Sequence, residues 1–213
     1  MIVMRWVSTL AKQGAAGLRL LLVLTVLLGV VYPLVVWGIG QLPGLRDKAD
    51  GSVVTLDGRA VGAQLIGVDP VDPNAKADPT NDRYFHTRPS ALSQDALGPG
   101  DPSTSGASNL SADNPKLIDL IKKRQQEIAA REGVPIGQIP ADAVQASASG
   151  LDPDISPAYA ELQVRRVARV NGLSEQQVER IVEATTSGRA AGALGEPTVN
   201  VLALNLAVLA AKH

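Results

Sequence analysis

The pattern of hydrophobic and polar positions changes abruptly along the chain, and its strongest signal is an uncharged run near the amino terminus. The run extends from Leu20 to Ile39 and reads LLLVLTVLLGVVYPLVVWGI. A helix rises about 1.5 Å per residue, so a helix of this length spans about 30 Å, the thickness of the hydrocarbon layer of a bilayer. The pattern therefore predicts a transmembrane helix over residues 20–39.

Four residues of the predicted membrane helix are expected to affect its packing, its straightness or its position in the membrane: Gly29, Tyr32, Pro33 and Trp37. Glycine lets a neighbouring helix approach closely, proline kinks the helix, and the two amphipathic rings favour the membrane interface toward its far end. The alternative interpretation is a cleaved signal peptide. Signal peptides have a shorter apolar region, of about 7–15 residues, and a small-residue cleavage motif, which does not follow this run. The sequence favours a retained membrane helix.

Basic residues at the two ends of the predicted span indicate its orientation. Three precede it and two follow it closely: Arg5, Lys12 and Arg19 before it, and Arg46 and Lys48 after it. Because short segments rich in Lys and Arg remain in the cytoplasm, the sequence predicts a cytoplasmic segment over residues 1–19. Residues 40–213 are then predicted to form an extracytoplasmic domain on the periplasmic side.

The soluble part opens with a signal for a hairpin. Two β-branched runs flank the pair Asp57-Gly58 within residues 52–67. Both residues of such a pair tolerate a positive φ, as a two-residue hairpin turn requires. Residues 68–113 then show no sustained period and are rich in turn-forming residues, which is typical of a long loop that is either functional or disordered.

Helical patterns dominate after residue 113. Three capped helices are predicted: one from Asn114-Pro115 to Gly133, one from Ser156-Pro157 to Gly172, and one from Ser174, with a capping box to Gln177, to about Ser187. A single helical turn is predicted after Pro140. These elements predict an α+β protein, with one N-terminal transmembrane helix followed by a soluble domain of a small β-hairpin or sheet and several helices.

The C-terminal residues 198–213 form a second apolar run. Leu202, Leu206 and Leu209 recur in it at helical spacing, and Asn205 interrupts them. The apolar part is about 13 residues long, which is short for a membrane span. The sequence therefore predicts a buried helix here.

The composition excludes several classes of function and does not by itself identify one. The formal net charge is −1, so no basic surface indicates binding to nucleic acid. The chain contains no cysteine, which excludes disulfides, thiolate metal sites, thiol nucleophiles and a lipoprotein anchor. Aromatic residues make up only 3% of the chain, so the core has to be built from aliphatic side chains.

The octet YFHTRPSA, residues 84–91, contains several residue types that are rare in this chain. It holds the only phenylalanine, one of three tyrosines and one of two histidines. Asp82 and Ser90 lie close to His86, which suggests a Ser-His-Asp triad, but no G-x-S-x-G elbow occurs and triads are defined by geometry. The only other imidazole is His213, so a metal site has little support. The remaining interpretations are a structural anchor and a subunit contact, with these candidate residues: Tyr84, Phe85, His86, Arg88, Pro89 and Ser90.

A second candidate segment is SASGLDPDISP, residues 147–157. Small residues followed by Asp-Pro and a Ser cap are typical of a tight turn before a helix, and a turn buried against a partner has the same pattern. The sequence leaves both interpretations open for its candidate residues, which are Ser147, Ser149, Gly150, Leu151 and Asp152.

Seven stretches in order resemble the C subunit of the Kdp-type potassium-transporting ATPase, the KdpC family. They read VYPLVVWGIGQ, DGRAVGAQLIG, YFHTRPSA, SGASNLSADNP, SASGLDPDISP, QVRRVARVNGL and GEPTVNVLALNLAVL, and they cover nearly all of the chain from residue 20 onward. No single stretch is decisive, but their number and order make the resemblance specific.

The resemblance implies a subunit of a complex in the inner membrane that imports potassium at the expense of ATP. The implied partners are a channel-like potassium-translocating subunit, an ATP-hydrolysing P-type subunit, a small membrane peptide and membrane lipid. It further implies a non-catalytic subunit that aids assembly and acts as a catalytic chaperone, raising the affinity of the P-type subunit for ATP. Family members are often labelled ATP-binding, yet the sequence has no phosphate-binding loop. No cofactor is therefore expected on this chain, and ATP and potassium are expected to be handled by the complex. The alternative function left open is a membrane-anchored extracytoplasmic enzyme that uses His86.

Overall fold

The computed structural model of the chain describes residues 2–212, and for residues 2–5, 7 and 8 it describes the backbone alone. The described chain divides into two compact units between Ser52 and Val53. The first unit contains the predicted membrane helix, and the second contains all of the strands. Together they confirm the predicted α+β class.

One long helix dominates the first unit. It consists of α1 (Ile2–Val26), a π-helical turn (Leu27–Val31) and α2 (Tyr32–Gly40), which follow one another without a break. Its stretch from Thr9 to Gly40 is long and apolar enough to cross a membrane, and no part of its most apolar window is buried within the chain. The helix extends well to the N-terminal side of the predicted residues 20–39, because residues 2–19 contain no proline, and it tolerates Gly14 and Gly17.

The π-helical turn lies directly before Pro33. Proline has no backbone N–H, and its ring collides with the carbonyl group four residues earlier, which here belongs to Gly29. The chain accommodates this by widening one turn, in which the N–H of Tyr32 donates to the carbonyl of Leu27, five residues back. The predicted disturbance at Pro33 therefore takes the form of a π turn. The unit ends in a short helix, α3 (Arg46–Ala49).

The second unit begins with the predicted β-hairpin. Strands β1 (Val53–Leu56) and β2 (Arg59–Ala63) pair antiparallel, with an irregularity in register after Val54. Asp57 and Gly58 both have positive φ, at 50° and 74°, as the two-residue turn requires. The prediction of the hairpin from its Asp-Gly pair is confirmed.

Residues 68–113 contain no long element, as predicted. Only two 3₁₀ turns interrupt them, Pro73–Ala75 and Pro79–Asn81. The side chains of Asp72 and Asp78 cap these turns by accepting from the N–H groups of Asn74 and Thr80. The Asp-Pro pairs in the sequence are thus turn initiators.

The helices that follow agree with the capping patterns. They are α4 (Pro115–Glu132), α5 (Ala141–Val144), α6 (Pro157–Asn171), α7 (Glu175–Thr185) and α8 (Val201–Ala210). Gly133 and Gly172 end α4 and α6 in the left-handed conformation, and Ser174 and Gln177 form the predicted capping box. Helix α7 ends two residues earlier than predicted, because Thr186 and Ser187 enter a strand.

A small three-stranded antiparallel sheet lies among the helices, in the order β3-β5-β4. Its strands are β3 (Asp154–Ile155), β4 (Thr186–Ser187) and β5 (Thr198–Asn200). Strands of two or three residues are too short to show an alternating pattern, so the sequence predicted a hairpin or small sheet without locating this one.

The core of the second unit is built from helices α4, α6, α7 and α8 and from Phe85. Tyr159, Phe85 and Ile128 are its largest fully buried side chains. On α8 the buried face carries Val201, Leu204 and Val208, whereas Leu209 is 40% exposed. The C-terminal run therefore forms a helix, as predicted, and this helix is buried along one face only.

Candidate functional site

The octet at residues 84–91 crosses the helical core as an extended segment. Phe85 is fully buried in that core. Its backbone N–H donates to Asn205 Oδ1 at 2.8 Å, and its carbonyl accepts from Asn205 Nδ2 at 2.9 Å. One side chain of α8 thus satisfies both backbone groups of a buried residue.

His86 is held in the same way by α6. Its N–H donates to Gln163 Oε1 at 2.9 Å, and its carbonyl accepts from Gln163 Nε2 at 3.3 Å. Gln163 is fully buried. The amide groups of Gln163 and Asn205 therefore replace the neighbouring strand that an isolated extended segment lacks.

The imidazole of His86 lies between two carboxylates. Nδ1 is 2.9 Å from Asp69 Oδ1, and Nε2 is 3.1 Å from Asp82 Oδ2, the latter outside good hydrogen-bond geometry. Burial by itself lowers the pKa of His86, but the charge and hydrogen bond of Asp69 and the close contact with the carboxylate of Asp82 outweigh burial and the repulsion from Arg131. The net pKa of the imidazole is raised above its ordinary value.

A network of buried charges lies behind this histidine. Arg166 donates through Nη1 to the carbonyl oxygens of Asp82 and Tyr84, at 2.6 and 2.9 Å, and through Nε to Glu132 at 2.9 Å. Arg131 also donates to Glu132, at 2.7 Å, and to the hydroxyl of Tyr159, at 3.0 Å. Two arginines thus share one buried glutamate, and removing Glu132 would leave both of them without their shared carboxylate in the core.

The two candidate segments of the sequence lie side by side. The N–H of Ser147 donates to the carbonyl of Pro89 at 2.9 Å, and Arg88 forms an ion pair with Asp152 at 3.1 Å. A β-carbon added to Gly150 would lie 3.1 Å from Ser90 Oγ, so that only glycine fits closely at this φ of +72°. The contact between these two segments is not predictable from their local patterns.

The turn at residues 147–152 is held by its own serines. Ser147 Oγ accepts from the N–H of Gly150, and Ser149 Oγ accepts from the N–H of Leu151, both at 3.1 Å. The carbonyl of Leu151 accepts from the N–H of Gly67 at 2.8 Å. The turn therefore joins the end of the hairpin region to the octet.

The geometry does not support a Ser-His-Asp triad. Asp82 does face His86, but the hydroxyl of Ser90 accepts from the N–H of Leu92, at 3.2 Å. Both imidazole nitrogens face carboxylates, which leaves no nitrogen to take a proton from a serine. Within residues 2–212, no group of three or more His, Asp or Glu side chains is arranged to hold a metal ion, and His213 lies outside the described residues.

The four candidate residues of the long helix lie in the first unit. Tyr32 and Trp37 are 63% and 65% exposed, and Gly29 has open space around the position of a β-carbon. Pro33 follows the π turn. The described part of the first unit therefore presents these residues outward along the candidate membrane span.

Sequence reasoning missed the partners that hold the octet: Asp69, Glu132, Gln163, Arg166 and Asn205. The available signal was a polar residue in an apolar helix face. Gln163 and Arg166 lie among the buried residues of α6, and Asn205 lies in the apolar run of α8. A buried polar side chain needs a partner, so these positions indicate an unpaired segment nearby, though not which one.

The fold and site define a class of protein that carries one long N-terminal apolar helix and an α+β domain whose polar site is internal. The chain matches, over residues 15–210, the family model described as KdpC: K+-transporting ATPase, c chain. The chain therefore belongs to the KdpC family.

Several curated relatives match the chain along nearly its whole length. A KdpC subunit of a potassium-transporting ATPase from Kineococcus radiotolerans is 46% identical, covering 96% of each chain. The KdpC subunit of the potassium-transporting ATPase from Streptomyces coelicolor is 43% identical, and the match covers 93% of this chain and 92% of that subunit. That from Sorangium cellulosum is 49% identical over 90% and 94%.

Proposed function

We propose that the chain is an accessory, non-catalytic subunit of a potassium-transporting ATPase. The observation that carries the proposal is the match to the KdpC family over residues 15–210, together with relatives that bear the name of that subunit. The long apolar helix supplies a membrane anchor for such a role.

The surroundings of His86 favour this role over the alternative of an enzyme. A general base needs a free lone pair within reach of the substrate proton. In this chain Nδ1 and Nε2 both face carboxylates, and the side chain is buried. His86 therefore serves the structure of the domain.

Copurification tests the proposed partners. We expect the tagged full-length chain, extracted in mild detergent, to copurify with a channel-like potassium-translocating subunit, an ATP-hydrolysing P-type subunit and a small membrane peptide. Recovery of the chain without an ATP-hydrolysing partner from cells that express all of these subunits would contradict the proposal.

Substitution of His86 separates the two functions. We expect His86→Gln to lower the stability of the domain or the yield of the complex, while the complex that does form keeps its ATPase turnover. If His86 were a general base, the assembled complex or the isolated chain would instead lose turnover at unchanged yield.

We further propose that the N-terminus is cytoplasmic and that the second unit lies outside, in a single-pass protein of the inner membrane. The basic residues before the span support this orientation. The chain has no cysteine, so single cysteines at Ser105 and Ser187 are clean reporters, and both positions are exposed. An impermeant thiol reagent is expected to label both in intact cells and to leave Lys12→Cys unlabelled until lysis. The reverse pattern would overturn the orientation.

The proposed effect on ATP is an indirect one. A domain outside the cytoplasm does not meet ATP, and the sequence has no phosphate-binding loop. The subunit would raise ATP affinity by favouring one state of the P-type subunit, as linkage between two sites allows. We expect a photoreactive ATP analogue to label only the P-type subunit, and the KM for ATP to rise when the chain is left out. Specific labelling of this chain would contradict the indirect route.

The candidate residues in 84–90 and 147–152 are proposed to have different roles, one inside the domain and one at its surface. The first segment would be an internal anchor, since Phe85, His86 and Ser90 are buried. The second would be the outward part of the same cluster, where Ser149 is exposed. A bulky substitution at the exposed Ala148, Ala148→Trp, leaves the serine hydrogen bonds of the turn in place. It is expected to reduce copurification with the partners without unfolding the domain, as measured by circular dichroism. Unchanged copurification would remove this turn from the contact surface.

A further inference from the structure

Both ends of one irregular segment, residues 69–82, lie against the imidazole of His86. Residues 69–82, called the strap below, contain no element longer than a 3₁₀ turn. Asp69 at its start contacts His86 Nδ1, and Asp82 at its end lies beside Nε2. The buried imidazole thus holds the two ends of the strap close together.

A proton decides whether both contacts are favourable. The imidazolium cation has two N–H groups, one for each carboxylate, whereas a neutral imidazole has one N–H and one lone pair. In the neutral form, one of the two carboxylates therefore faces a lone pair at about hydrogen-bond distance, in a site with little water to screen it. Loss of one proton makes one of the two contacts between the imidazole and the strap unfavourable.

The surrounding charges favour the protonated form on balance. Arg131, from α4, opposes it, but Arg131 is itself paired with Glu132 and hydrogen-bonded to Tyr159. Arg166, from α6, lies behind Asp82, with its Nη1 3.9 Å from Asp82 Oδ1, and is also paired with Glu132. The other charged groups that line the same cleft are Asp72, Lys76, Asp95 and Glu127, among which acids outnumber bases.

We propose that His86 is a protonation-dependent clasp, which holds both ends of the strap while its imidazole is charged and only one end when the proton is lost. The strap lines a cleft of about 690 Å³ together with residues 95–99 and part of α4. Release of one end of the strap therefore widens this cleft. The device gives the domain a response to the pH of the compartment that it faces.

The protonation state of His86 can be read directly in the full chain. The variant His213→Gln leaves one histidine, and ¹⁵N-labelled imidazole is followed by NMR across pH in detergent micelles. We expect the imidazole to titrate with a midpoint above about 6.5, the ordinary value, and both nitrogens to be protonated below that midpoint. The amides of Thr87 and Tyr84 donate to Asp69 and Asp82, so their resonances should shift with the same midpoint. An imidazole that is neutral at pH 6, or a midpoint at or below the ordinary value, overturns the proposal.

Hydrogen exchange tests whether the strap opens. Asp69→Asn removes one carboxylate from the clasp, and Asp78→Asn is the matched control, because Asp78 lies in the strap and caps only its own turn. Exchange of residues 69–90 is compared with wild type at each pH, so that the intrinsic dependence of exchange on pH cancels.

We expect Asp69→Asn to exchange about tenfold faster than wild type near pH 6, which corresponds to about 1.4 kcal/mol. The ratio should fall as the pH rises through the titration of His86, because wild type then keeps only one of its two contacts with the imidazole. Asp78→Asn should keep the wild-type dependence. Equal ratios for the two variants, or a ratio for Asp69→Asn that does not change with pH, would contradict a clasp that depends on the proton.

Discussion

Single side-chain amides hold the octet in place at the residue scale. Asn205 and Gln163 each satisfy both backbone groups of one octet residue, and Asn171 donates to the carbonyl of Arg83 at 2.8 Å. These amides take the place of a strand partner along the segment. The sequence showed that the octet was unusual, but it did not show these partners, because they lie 77 and 120 positions away.

Removal of one such amide should be costly. We expect Asn205→Ala to lower the free energy of unfolding by about 2–3 kcal/mol, because two buried backbone groups of Phe85 lose their partner. Asn81→Ala, at an exposed site, should change it by less than about 0.5 kcal/mol. Chemical denaturation followed by circular dichroism measures both. Tryptophan fluorescence is unsuitable, since Trp6 and Trp37 lie in the first unit. Equal effects of the two substitutions would show that the amide does not hold the octet.

Close backbone packing at Gly67 gives a second prediction at this scale. A β-carbon there would lie 2.3 Å from the carbonyl oxygen of Asp152, whereas nothing lies within 4 Å of one at Gly188. We expect Gly67→Ala to destabilise the domain by more than about 2 kcal/mol and Gly188→Ala to be neutral or stabilising by about 0.5 kcal/mol. Thermal unfolding of the two variants checks this. Similar midpoints would mean that the loop of Gly67 moves aside freely.

Elements that are determined by residues within or next to them in the sequence were predictable. The hairpin follows from Asp57-Gly58, and α4, α6 and α7 follow from their caps and from the glycines that end α4 and α6. The three-stranded sheet was not located, because its strands are set by pairing between distant segments and not by their own pattern. The role of Asn205 on α8 was not predicted for the same reason, since its partner Phe85 is supplied only by the tertiary fold.

The capping box of α7 gives a prediction at the scale of the element. Ser174 Oγ accepts from the N–H of Gln177, and Gln177 Oε1 accepts from the N–H of Ser174. We expect Ser174→Ala to lower the free energy of unfolding by about 1 kcal/mol, and Ser174→Asp to keep most of it, because aspartate also caps helices. Denaturant midpoints with unchanged slopes measure the effect. A loss as large for Ser174→Asp as for Ser174→Ala would show that the cap is not the cause.

For the whole molecule, the sequence sufficed for the class and the family but not for the internal site. The long apolar run and each of the seven stretches are recognised from residues that are consecutive in the chain. The charge network depends on the approach of the strap, α4 and α6, which no local pattern encodes. Arg166 illustrates this, because its position on α6 reveals an arginine but not the buried Glu132 and the two carbonyl groups that it binds.

The stability of the domain should depend on acid through the same network. Burial alone raises the pKa of Asp82, but the hydrogen bond and charge of His86, the N–H of Tyr84 and the charge of Arg166 outweigh it, and the net pKa is lowered. Asp82 therefore contributes stability that is present above about pH 4, the ordinary value, and is lost as the pH falls through the lower folded value. We expect Asp82→Asn to flatten this acid limb in unfolding experiments, and the exposed Asp57→Asn to leave it unchanged. An unaltered limb in Asp82→Asn would contradict the assignment.

The π turn before Pro33 has a consequence for how the long helix meets its surroundings. A turn that takes in one additional residue advances every later side chain by about 100° around the axis relative to a continuous α-helix. Residues that form one stripe before Leu27 therefore continue on a different side after Val31. The helix offers two separately oriented faces along its length, and two different neighbours can each be matched by one half of a single helix.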